Sequence, residues 1–258
     1  MNPKGIWISF YTMVRKDVIR IFRIWPQTFL PSVVTSVLYF LIFGSFLGSR
    51  IGSINNFPYI SFVVPGIVML AVVMNSYANV SFTFFSSKFF SRSIDEILVS
   101  PTPPWVLIAG FVAGGIVRGL MVGLLVLAVS LFFTHLTVMQ PALVFLFFIL
   151  TSLVFSLAGL VNGIYAKSID GINIVPTFVL TPLVYLGGVF YSVSSLSGFW
   201  RTLTYINPIF YLVNGFRHGF LGFSDVSVSI SVSVLLAFTV ALVAINWYLL
   251  RKGLGLKQ

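Results

Sequence analysis

The chain has no cysteine among its 258 residues and only five acidic side chains. The first absence removes disulfides, thiol chemistry and thiolate metal sites. The second leaves Asp17, Asp95, Glu96, Asp170 and Asp225 as the whole stock of carboxylates, all assigned by the pattern to loops or span ends. Together with His135 and His218 they form no cluster at metal-ligand spacing and no catalytic dyad. Neither histidine falls mid-span, where a proton relay would sit. The phosphate loop G-x-x-x-x-G-K-[ST] does not occur, so ATP is not bound and hydrolysed by that route. Charge is scarce overall: 8% of residues are charged against 58% hydrophobic, with a mean hydropathy of +1.06. A soluble core cannot hide that much apolar surface.

What the chain has instead is long uncharged apolar runs: Ile24–Ser49, Ile51–Ser87, Gly119–Ala166, Gly171–Trp200 and Val226–Leu250. A bilayer core takes roughly 20 apolar residues per helix. The 48-residue third run must therefore fold back once, at the polar break Thr134-His135 to Gln140-Pro141. The expected spans are 27–48, 59–85, 105–133, 141–165, 172–191 and 226–250. They are helices, because the runs show none of the polar–apolar alternation of a strand barrel. Prolines such as Pro26, Pro58, Pro101 and Pro141 mark span edges. The fold class is an all-α polytopic membrane protein, one domain over residues 1–258.

Orientation follows from lysine and arginine. With the N-terminus in the cytoplasm, eleven lie inside (Lys4, Arg15, Lys16, Arg20, Arg23, Lys88, Arg92, Lys167, Arg251, Lys252, Lys257). Three lie outside (Arg50, Arg201, Arg217), and both termini are expected in the cytoplasm. A seventh crossing at Tyr205–Gly222 would reverse the C-terminal basic residues and immerse Asn207, Asn214, Arg217 and His218 in hydrocarbon. A pair of re-entrant or interfacial helices over 192–222, on the outer side, fits better. The net charge of +10 is dispersed along membrane-flanking segments. It points to anionic headgroups rather than nucleic acid. The charged first 25 residues and full-length first run read as an uncleaved anchor.

Two cytoplasmic segments carry further pattern. Over 4–25, Ile6, Phe10, Val14, Val18, Ile21, Phe22 and Trp25 form one apolar stripe, with the basic residues largely elsewhere. This is an amphipathic interface helix, read either as a lipid anchor or as a lever on a cytoplasmic partner. The loop over 86–104 contains FFSRSIDEILVSPTPP, a short amphipathic segment in which Ser93 and Glu96 have capping-box spacing. It is either a charged turn or a docking helix for a soluble motor.

Within the spans, Arg118 lies about 20 Å from the inner start of its helix, near mid-membrane. There it must face protein or water, and Asn75, Asn79 and Asn162 are its candidate partners. It is either a structural hub or a docking charge for an anionic group. Gly110, Gly114, Gly115, Gly119 and Gly123 give three G-x-x-x-G spacings, read as close helix packing. The fifth span joins Pro176 and Pro182 to Tyr185, Phe190 and Tyr191, the mix of breakers and aromatics that lines transporter cavities. With Arg118, Asn75 and Asn79 these three make the candidate translocation path. An aromatic lining suits a hydrophobic, amphipathic or lipid-linked cargo.

The segments SRSIDEILVSP and TPLVYLGGVFYS…INPIFYLVNGFRHGFLG, with the RIWPQTFLP lead-in to the first span, resemble the type-2 ABC exporter permeases, most closely their YadH-type inner-membrane branch. The likeness covers essentially the whole chain. It implies a non-catalytic half-transporter in a bacterial inner membrane: two copies pair, and each docks a separate ATPase that holds the ATP and Mg. Residues Phe89–Ser100 would be the coupling helix, contacting the motor through Arg92, Asp95, Glu96 and Ser100. Arg15, Lys16 and Arg20 would form a second contact surface. The 192–222 helices would cap the exit, with Asn207, Pro208, Tyr211 and Arg217 at the outer gate. Competing readings are a motor-independent channel or lipid scramblase, and a non-transporting scaffold or sensor.

Overall fold

The computed structural model describes residues 2–54, 56–91 and 93–255. Among the described residues, five helices are long and apolar enough to cross a membrane: Trp25–Ile51, Tyr59–Phe89, Pro104–Ser130, Pro141–Tyr165 and Val228–Lys252. They are preceded by α1 (Pro3–Arg23), which breaks only at Ile24 before the first long rod begins. That rod is built from α2 (Trp25–Phe40), a π-helical stretch Leu41–Leu47 and α3 (Gly48–Ile51). A two-residue ladder, Ser53↔Pro58 and Ile54↔Phe57, then turns the chain into α4 (Tyr59–Phe89). A short α5 (Ser93–Val99) leads to α6 (Pro104–Ser130) and α7 (Pro141–Tyr165).

Over the fifth expected span, 172–191, the helix is broken and ends early. The chain there forms α8 (Ile169–Val175), a π-helical turn Pro176–Leu180 and α9 (Thr181–Tyr185). At 1.5 Å per residue this segment spans only about 25 Å, short of a ~30 Å hydrocarbon core. Pro176 and Pro182 each withdraw a backbone donor, and Gly188 adopts φ 71°, so the helix ends at Tyr185. Phe190 and Tyr191 lie in the irregular segment beyond it. Residues 198–221 form α10 (Gly198–Ile206) and α11 (Pro208–Leu221), and α12 (Val228–Lys252) closes the bundle.

Burial ranks these helices. In α4, 78% of the apolar window is buried within the chain, against 12% for Trp25–Ile51 and 11% for α12. So α4 is the central post, and the first rod and α12 are peripheral. Lys88 shows how the ends are gathered. Its Nζ donates to the carbonyls of Ile164, at the end of α7, and of Gly255, just past α12. Three helix C-termini thus converge on one cation, where their dipoles favour positive charge. α4, α7 and α12 therefore end on the same side, and α5 lies there too.

At the opposite end α11 is buried among α4, α7 and α12. Gly215 and Gly219 allow this: a Cβ at Gly215 would overlap the Phe147 ring, and one at Gly219 would meet Val144 Cγ2 at 2.7 Å.

Candidate functional site

Along α1 the buried face is not purely apolar. Asp17 is 6% exposed and sits between Met13 and Ile21, one turn away on either side. Met13 packs on Gly110 and Asp17 on Gly114, four residues apart in each helix, so α1 and α6 run side by side. Asp17 Oδ1 accepts from Arg20 Nε at 3.0 Å and Nη2 at 2.5 Å. Asn79 on α4 completes the knot: its Nδ2 donates to Asp17 Oδ2 at 2.8 Å, and its Oδ1 accepts from Arg20 Nη2 at 2.8 Å. Thr83 Oγ1 accepts a further bond from Arg20 Nη2 at 2.5 Å. A buried ion pair holds only when its remaining donors and acceptors are also met, and α4 meets them here.

This rearranges several expectations. Asp17 is not at a loop or a span end. Arg20 turns towards the bundle and Lys16, one turn earlier, lies on the same side of α1, while Arg15 is exposed elsewhere. Phe22 and Trp25, expected on the apolar stripe of an interface helix, are 54% and 56% exposed, whereas Ile21 of the same stripe is buried in the bundle. No hydrogen bond joins Asn75, Asn79 or Asn162 to Arg118, and the three amides are directed to other partners. Asn75 Nδ2 donates to Ser32 Oγ and the Ala71 carbonyl, and Asn162 Nδ2 to Ser81 Oγ and the Ile172 carbonyl. Arg118 lies one turn beyond Gly114, near the Asp17–Arg20 pair, and its buried Nε has no partner.

α5 is anchored rather than loose. Ile94 is buried in a core cluster with Phe84, Leu107 and Phe111, and Ile97 packs beside it. Ser100 Oγ closes the C-terminal end through Ile97 O at 2.6 Å and Thr102 Oγ1 at 2.8 Å. Asp95 and Glu96 face outward, and Val99 is 89% exposed. Ser93 is the first helical residue, and its hydroxyl pairs with Ser91 Oγ at 2.9 Å instead of forming a capping box with Glu96. Arg92 lies outside the described residues.

A groove of about 250 Å³ runs between α2 and α4. Ser32, Thr35 and Tyr39 line one wall, and Leu70, Met74 and Asn75 the other. Tyr39 continues it into an aromatic cluster, 6.0 Å from the Phe190 ring, which stacks on Phe43 at 4.4 Å and on Tyr185 at 5.9 Å. The residues expected along one path therefore separate into two groups. Asn75, Tyr185 and Phe190 border the groove or its aromatic end, whereas Arg118 and Asn79 belong to the junction with α1. Tyr191 is half-buried beside Phe190.

The four residues expected at the outer gate tie short helices together. Asn207 caps α11 by accepting from Ile209 N at 3.0 Å, and its Nδ2 donates to Leu183 O at 2.5 Å. Pro208 supplies the first helical position. Tyr211 Oη donates to Tyr205 O at 2.7 Å. Arg217, 2% exposed, donates from Nη2 to Gly188 O at 2.7 Å.

Sequence reasoning missed Asp17, Tyr39 and Lys88 as organising residues. Only Asp17 left a signal: it falls at i+4 from Met13 and i−4 from Ile21, on the apolar stripe.

A bundle of apolar rods with a flanking amphipathic helix defines an all-α multi-pass membrane protein. The chain matches the ABC-2 type transporter family over residues 8–221, and it belongs to that family. It is 51% identical over 252 residues to the inner membrane transport permease YadH of Escherichia coli strain K12, covering 98% of both chains. It is also 24% identical over 250 residues to nodulation protein J of Rhizobium meliloti strain 1021, covering 96% of this chain and 94% of that one.

Proposed function

We propose that this chain is the permease subunit of an ATP-driven exporter in a bacterial inner membrane, with both termini cytoplasmic. A separate ATPase supplies the energy and holds the ATP and Mg. The observation that carries this reading is α5: a helix fixed to the core by Ile94 yet presenting Asp95, Glu96 and Val99 outward. A rigidly held helix transmits force to the bundle in a way a loose turn cannot. Its place beside the converging ends of α4, α7 and α12, with the basic residues there, supports reading that end as the cytoplasmic one.

In this reading Ile169–Tyr185 is a sixth, broken crossing, and α10 and α11 are re-entrant helices on the outer side. Two copies pair so that the α2–α4 groove faces a shared path, which the mostly unburied first rod supports. The groove and its aromatic end suit a hydrophobic, amphipathic or lipid-linked cargo.

The test reverses charge on α5 with D95K/E96K in the full chain. ATP-dependent transport and cross-linking from the exposed position 99 to a phosphate-loop ATPase should both be lost, at unchanged membrane abundance. Unchanged transport would overturn the coupling role. Transport by the lone chain in liposomes without ATP would favour a channel or scramblase instead.

A further inference from the structure

A cavity of about 210 Å³ lies between α1, α4, α5 and α6 and shares no lining residue with the α2–α4 groove. Its polar lining includes Lys16 and Arg20 of α1 and the hydroxyls of Ser86 and Ser93. Its apolar lining includes Ile97 and Phe82, the latter 44% exposed towards the outside of the bundle. Charge here is unbalanced. Among the described residues lining the cavity, Asp17 is the single carboxylate against the two cations Lys16 and Arg20, and Arg118 adds a third positive charge close by, outside the lining. Arg20 engages Asp17, Asn79 and Thr83 through Nε and Nη2, with no bond from Nη1 among the described residues. Excess positive charge next to hydrocarbon is costly unless an anion offsets it.

We propose that this cavity binds the phosphate group of an anionic phospholipid drawn from the leaflet on the α5 side. Lys16 and Arg20 supply the charge, and the serine hydroxyls donate to the phosphate oxygens. The acyl chains leave over Phe82. A free phosphate would satisfy the basic residues but leave Ile97 and Phe82 facing water, so the amphiphile is the better match. The bound lipid would touch α1, α4 and α5 together and brace α5 against the bundle. This site is separate from the transport reading and stands whether or not an ATPase docks on α5.

The experiment measures the unfolding temperature of the purified full chain in neutral detergent. Dioleoylphosphatidylglycerol, dioleoylphosphatidylcholine and inorganic phosphate are titrated separately. Phosphatidylglycerol should raise the unfolding temperature saturably, and phosphatidylcholine and phosphate should not. Lys16→Gln should weaken half-saturation by about fivefold, the worth of one basic residue at a lipid surface. Lys4→Gln, on the same helix but outside the cavity, should leave it unchanged. Ser86→Phe should fill the space and abolish saturable stabilisation. Equal weakening by Lys16→Gln and Lys4→Gln would reduce the effect to diffuse surface charge and overturn the site. Stabilisation by phosphate alone would overturn the lipid assignment, and no preference for phosphatidylglycerol would overturn both. Both lysines are exposed, so this pair of variants decides the matter even if Ser86→Phe fails to fold.

Discussion

The guanidinium of Arg217 lies 3.8 Å over the ring of Phe62 while its Nε donates to the carbonyl of that same residue at 3.2 Å. One side chain therefore grips α4 through both backbone and ring. Its Nη2 reaches Gly188 O and Val189 O, past the broken end of α9. The rotation of α11 is thereby locked to two other elements at the end of the bundle opposite α5.

Removing that grip strands carbonyls in a dry interior. Arg217→Met keeps the bulk but loses every donor, and hydrogen bonds to a charged group are each worth about 1.5–3 kcal/mol. We expect a clear fall in unfolding temperature and in membrane abundance. Arg217→Lys, a point charge without the planar fork, should recover only part of the loss. Wild-type stability in Arg217→Met would show that the lock is dispensable.

The Asp17–Arg20 pair makes a sharper prediction because its parts depend on one another. Asp17→Asn leaves the half-buried Arg20 without its carboxylate, and Arg118 nearby makes the local charge worse. Breaking one side of a fully buried pair costs roughly 3–5 kcal/mol, and the partial exposure of Arg20 brings the loss below that range. The double variant Asp17→Asn/Arg20→Met should be more stable than Asp17→Asn alone, since it removes the orphaned cation. A double-mutant cycle on unfolding temperature in detergent checks this. Additive losses would mean that the two residues act independently.

Glycine substitutions separate packing from propensity. A Cβ at Gly159 would run into the Tyr77 carbonyl, a backbone group that cannot swing away. Gly159→Ala should therefore push α7 from α4 and destabilise the bundle by several °C. At Gly171 the nearest atom is Ser168 Oγ at 3.3 Å, and the position is helical. There alanine gains up to about 1 kcal/mol of helix propensity, so Gly171→Ala should be neutral or stabilising. The reverse order of stability would refute this packing account.

The long rods were legible because lipid tolerates few departures from an apolar run, and α4, α6, α7 and α12 each follow their expected spans within a few residues. The fifth segment was not. Gly171–Trp200 is apolar throughout, and hydropathy does not record that Pro176, Pro182 and Gly188 end the helix at Tyr185. The polar partnerships were hidden for another reason. An asparagine in a span must bond something, but sequence spacing does not say what. Thus Asn79 joins Asp17 and Arg20, Asn162 spends its amide on Ser81 and a carbonyl, and neither reaches Arg118.

The α2–α4 groove yields the prediction closest to transport. Asn75 and Ser32 cross it at 2.9 Å, fixing the two helices at its floor, while Thr35 and Tyr39 line the wall leading to the aromatic cluster. Thr35→Trp adds bulk to the space without removing a hydrogen bond found among the described residues. If the groove forms part of the path, this variant should reduce cargo transport at least tenfold while membrane abundance and unfolding temperature stay near wild type. Tyr39→Phe keeps the ring that packs against Phe190 and should transport normally if stacking, not the hydroxyl, matters. Full transport by Thr35→Trp would move the path elsewhere, because about 250 Å³ cannot accept an indole and still admit a large amphiphile.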